Sequence, residues 1–95
     1  MKMIIVIVKD NEADALIRAL TSAEYRITRI ASTGGLLHSG VATLLMGVED
    51  AKVDSAVALV RETVAAFGRR PERSGESSEK RATLFVVPVS QFEQV

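Results

Sequence analysis

The feature that most constrains this chain is a switch of hydrophobic period that runs in the same order twice. Met3 to Val8 (MIIVIV) is a short run of β-branched and apolar residues. Ala13, Leu16, Ile17, Leu20 and Ala23 then recur at helical spacing, and Tyr25 to Ile30 returns to alternation. Val41 to Val48 (VATLLMGV) follows. A stripe of Val53, Val57, Val60, Val64 and Phe67 comes next, then Ala82 to Val89 (ATLFVVPV). Short apolar runs rich in Ile and Val are strands, and stripes with a 3.6-residue period are amphipathic helices. The predicted order is strand, helix, strand, strand, helix, strand.

The punctuation agrees with that order. Asp10 or Asn11 is expected to cap the first helix, with Glu12 and Asp14 in its first turn. Glu49-Asp50 is expected to cap the second helix and Gly68 to stop it. The break in alternation at Ile30-Ala31 predicts a bulge or a strand end. Gly47 inside a strand predicts a bulge or a close approach to the backbone, and Pro88 an edge or a terminating position. Residues 68–81 (GRRPERSGESSEKR) carry Pro, Gly, Ser and charge without an apolar pattern, and are expected to form a flexible surface loop. In the tail, Ser90 to Val95, Phe92 is apolar enough to dock.

Two β-α-β units in succession define an α+β, ferredoxin-like βαββαβ domain spanning 1–95, with both helices on one face of a four-stranded antiparallel sheet. MIIVIV and LFVV nevertheless place apolar residues on both faces of their strands. The helix-free face therefore needs a cover, and the natural one is another copy of the chain, so a homo-oligomer is expected.

Composition narrows the function classes. Twelve basic and twelve acidic residues cancel, which argues against a nucleic acid polymer or a membrane as partner. The absence of cysteine excludes disulfides, thiolate catalysis and zinc ribbons. The N-terminal apolar run is too short for a signal peptide and ends at Lys9-Asp10, so a cytoplasmic location is expected. The one histidine, His38, has no companion ligand, and no Ser-His-carboxylate set is recognisable; neither a metal site nor an enzyme is expected.

The chemistry concentrates between Tyr25 and Gly47. Arg26 and Thr28 are two apart, leave one face of the sheet, and suit a phosphate by charge and hydroxyl. Ser32-Thr33-Gly34-Gly35 lacks the lysine of a Walker loop and the third glycine of a dinucleotide fingerprint. Its paired glycines permit either a tight turn or an approach of amide groups to an anion, and the residues alone leave both readings open. Leu36 and Leu37 are apolar in a loop, either as a ligand wall or as packing between subunits. With Gly47 opposite, the set points to an anionic ligand with a flat apolar part beside a subunit interface.

These segments resemble the cyclic di-AMP receptor proteins, a branch of the PII-like signal-transduction proteins. The resemblance rests on MKMIIVIVKD, RITRIASTGGLLHSG, TLLMGVED and the terminal ATLFVVPVSQFEQ, and covers most of the chain outside 68–81. It implies a PII-like homotrimer without catalysis or a cofactor. Cyclic di-AMP would sit between neighbouring subunits, and the loops would signal to a downstream protein. It further implies that Arg26 meets a phosphate, with Ile27 beside it and Thr28 adding a polar contact. Gly35, Leu36, Leu37 and Val41 would line the pocket, Gly47 would lie against a base, and Gln94 would close over the ligand. The family pattern has asparagine where this chain has Glu24 and Val41, and an aromatic where it has Leu36. A carboxylate at position 24 would repel a phosphate unless it turns away or serves a base amino group. A trimer binding another adenine nucleotide, or a protein-interaction module with a degenerate pocket, are the alternatives.

Overall fold

The architecture follows from which strand residues face the helices. In a computed structural model, residues 1–30, 40–67 and 82–95 are described. Strand β1 (Lys2–Lys9) alternates, with Ile4, Val6 and Val8 buried and Met3, Ile5 and Ile7 half-buried. Helix α1 (Asp10–Ser22), strands β2 (Ile27–Ile30) and β3 (Val41–Val48), helix α2 (Val53–Phe67) and strand β4 (Ala82–Pro88) follow. The sheet order is β2-β3-β1-β4, with every neighbouring pair antiparallel. The βαββαβ order and the α+β class are those expected from the sequence.

One face of the sheet builds the core. Ile4, Val6, Val8, Ala42, Leu44, Met46 and Val48 pack with Ala13, Leu16 and Leu20 of α1 and with Ala56 and Val60 of α2. Val53, Val57 and Val64 complete the valine stripe at its margin. The other face carries rows set by the register: Thr28, Leu45, Ile5 and Phe85 lie side by side, and Thr43, Ile7 and Thr83 form the next row. No described helix covers this face, and Phe85 is 49% exposed there. The Thr43 hydroxyl is buried without a hydrogen-bond partner among the described residues.

Several local expectations need correction. The N-cap of α1 is Lys9, with no side-chain cap, and Asp10 is the first helical residue. The Asp10 amide donates instead to the carbonyl of Gly40 at 2.7 Å, and Gly40 takes the positive φ of 86° that this turn into β3 requires. The acidic residues of the first turn are Asp10 and Glu12, the latter buried, rather than Glu12 and Asp14. Glu49 precedes a single 3₁₀ turn (Asp50–Lys52) that leads into α2, again without a side-chain cap. Asp50 is engaged elsewhere, by the Met1 amine at 2.9 Å and by Lys2 at 3.4 Å. These two cations hold its carboxyl below the ordinary value, the amine first. Gly47 makes no bulge, since the β1–β3 register runs through it unbroken from Lys2↔Val48 to Lys9↔Val41. β2 ends at Ile30, where the alternation fails. It starts at Ile27 rather than Tyr25 because Tyr25 still belongs to the closure of α1. The predicted loop at 68–81 lies outside the described residues.

Candidate functional site

At one end of the sheet β1 and β2 begin while β3 and β4 finish, so four chain segments converge. A cleft of about 790 Å³ opens there. Thr28, Leu45, Gly47 and Met3 contribute from the helix-free face, and Glu24 and Arg26 from the entry to β2. Lys52 and Glu49 come from the turn after β3. The tail contributes Gln91, Phe92 and Gln94. Most of this wall is apolar, with a few charged and polar groups converging on it, which is the composition of a small-molecule site.

The entry to β2 is fixed by how α1 ends. The Glu24 amide donates to the Thr21 carbonyl at 2.9 Å and the Tyr25 amide to the Leu20 carbonyl at 3.0 Å. This is a Schellman closure, and it puts Glu24 in the left-handed region at φ 72°. Tyr25 then packs on the core, which turns Arg26 towards the cleft. Ile27 turns back to the core and Thr28 lines the cleft again.

Of the residues expected from the sequence, Arg26, Thr28, Gly47 and Gln94 meet in this cleft. Ile27 does not line it; its side chain is spent on the core. Val41 pairs with Lys9 at the far end of β3, six residues and about 20 Å from Gly47. Gly35, Leu36 and Leu37, with His38, lie outside the described residues. Gly47 has a neighbour of its own: a Cβ added there would meet Met1 Cε at 3.1 Å, so the tip of Met1 lies over the glycine. A planar group resting on Gly47 has to move Met1 aside.

Sequence reasoning missed Lys52, Glu49, Met1 and Phe92. The topology carried the signal, because βαββαβ order sends the segment after β3 and the tail after β4 to the end where β1 starts. Phe92 does not dock into the core; it is 60% exposed on the cleft wall. Arg29, three residues after Arg26, serves the fold instead. Its guanidinium reaches Asp14 at 2.8 Å and Asp10 at 3.4 Å, and its pKa is raised chiefly by the hydrogen bond to Asp14.

The structure is an α+β domain with a cleft at one end of its sheet. Residues 1–72 match the family model described as cyclic-di-AMP receptor, and the chain belongs to that family. It is also similar to a crystal structure described as a functionally unknown protein from Pediococcus pentosaceus ATCC 25745. The two share 30% identity and a TM-score of 0.74 over 99% of this chain and 96% of that one.

Proposed function

We propose that this chain is a non-catalytic receptor for cyclic di-AMP, binding it in clefts between the subunits of a homotrimer. The observation that carries the reading is the meeting of Arg26, Thr28 and Gly47 with Gln94, a residue far away in the sequence, on one partly apolar wall. Arg26 would take a phosphate by charge-assisted hydrogen bonds, with the Thr28 hydroxyl beside it. A neighbouring copy, docked on the helix-free face, would bring its Val41 and its Gly35, Leu36 and Leu37 to close the pocket. Phe92 offers a face on which a base can stack. Changes in the loops on ligand binding would then be read by a partner protein in the cytoplasm. Membership of the receptor family supports the choice of ligand.

The test is calorimetric titration with cyclic di-AMP, alongside a thermal-shift screen of cyclic AMP, ATP and ADP. Ligand at a hundred times its Kd should add about 2.7 kcal/mol of stability. Saturable binding of cyclic di-AMP supports the reading. Preference for ATP or ADP would move it to another adenine nucleotide, and no response to any of the four would leave a protein-interaction module.

A further inference from the structure

Among the described residues, some charged groups are held in ion pairs and others at the cleft are not. Arg29, Asp10, Asp14, Asp50, Lys2 and the Met1 amine are all occupied in ion pairs. Arg26, Lys52, Glu24 and Glu49 line the cleft and form none among the described residues. Two cations and two carboxylates, unpaired with one another or with other described residues, do not make a site for anionic charge alone. Such a wall suits a ligand that presents both an anion and a hydrogen-bond donor.

Glu24 is the more informative of the two carboxylates. It occupies the left-handed region at φ 72°, which glycine or asparagine would occupy with less strain. The Schellman bonds of Glu24 and Tyr25 hold it there, one residue from Arg26. Strained backbone at a cleft wall is a reason to look for a function in the side chain.

We infer that Glu24 selects the base of the ligand, accepting a hydrogen bond from the exocyclic amino group of an adenine while Arg26 takes the phosphate. The inference rests on the nucleotide reading above and assigns the specificity of that site. A base with a carbonyl in place of the amino group, as in hypoxanthine, would set an oxygen lone pair against the carboxylate, and neither group would be satisfied. A site built to bond a donor discriminates against the analogue that lacks it.

The experiment compares cyclic di-AMP with its hypoxanthine counterpart, cyclic di-IMP, by calorimetric titration at one salt concentration. Wild type is expected to prefer the adenine ligand about tenfold, the scale of one hydrogen bond to a charged group. In Glu24→Gln the preference falls to within about twofold, because the amide accepts from an amino group or donates to a carbonyl. Glu62→Gln, at an exposed position of α2 outside the cleft, keeps the preference. The inference is overturned if wild type binds both ligands equally, if Glu24→Gln keeps the full preference, or if Glu62→Gln loses it. Equal tightening of both ligands in Glu24→Gln also overturns it, since the carboxylate would then merely repel phosphate. Binding of neither ligand to wild type overturns the nucleotide reading as well, whereas binding without preference overturns this inference alone.

Discussion

The amide of Tyr25 donates to the carbonyl of Leu20 at 3.0 Å, and this bond both ends α1 and sets the direction of β2. Glu24, caught between them, bears a left-handed backbone at φ 72°. Relief of that strain is worth about 1–2 kcal/mol, offset by the greater freedom of glycine in the unfolded chain at about 0.5–1 kcal/mol. Glu24→Gly is therefore expected to stabilise the fold by about 0.5–1 kcal/mol in urea denaturation at fixed protein concentration. Glu24→Val, β-branched in the same conformation, should destabilise it.

Arg26 and Arg29 share a strand region and have opposite fates. Arg26→Ala should weaken cyclic di-AMP binding about ten- to hundredfold in calorimetry, as expected for loss of a charge-assisted hydrogen bond. Arg29→Ala should leave the affinity within about twofold, because Arg29 is spent on Asp10 and Asp14. A loss of binding in Arg29→Ala equal to that in Arg26→Ala would contradict this assignment.

Leu44 lies at the middle of β3 on the helix side and is 1% exposed. Leu44→Ala should cost about 2–5 kcal/mol, combining lost burial with a cavity. Val86 of β4 is 41% exposed. Val86→Ala should cost less than about 1 kcal/mol by the same area bookkeeping. Denaturation midpoints at unchanged slope would measure both.

Phe85 lies level with Ile5 and Leu45 on the helix-free face. Phe85→Glu should prevent a second copy from docking there, by desolvating an unpaired carboxylate. Light scattering should then give the 10.2 kDa monomer in place of an assembly of about three times that mass. A wild-type chain that is itself a stable monomer would sink both the assembly and the pocket closed by it.

The Asp50 carboxyl is held below its ordinary value of 3.8 by the Met1 amine and Lys2. A lowered folded-state pKa contributes stability above the unfolded value, and that contribution fades as pH falls through the lowered one. Wild type should thus be the more stable relative to Asp50→Asn above pH 3.8, with the gap closing at lower pH. Thermal melts across the acid range would show it, and a gap of constant size would refute it.

Strand and helix order was legible because the short Ile- and Val-rich run MIIVIV and the 3.6-residue Val53–Val64 stripe contrast locally in length and pattern. The two-residue spacing of Arg26 and Thr28 likewise placed both on the cleft side. Three-dimensional convergence was less legible. Nothing local to Lys52 or Phe92 marks either as a cleft residue, and only the sheet order brings them beside Arg26. Capping was misjudged for a physical reason: Asp10 and Asp14 bond Arg29, and Asp50 bonds the Met1 amine, through long-range ion pairs that no local motif announces.

Met1 joins three parts of the molecule. Its carbonyl accepts from the Val89 amide at 3.1 Å, its amine meets Asp50 at 2.9 Å, and its side chain covers Gly47. A purification tag ahead of Met1 would convert that amine to an uncharged amide and lead foreign residues out beside the cleft. A tag after the tail would emerge close by, since Gln94 lines the same space. Fluorescent reporters for ligand titration are better attached at exposed positions of α2, such as Arg61 or Glu62, where neither end of the polypeptide is disturbed.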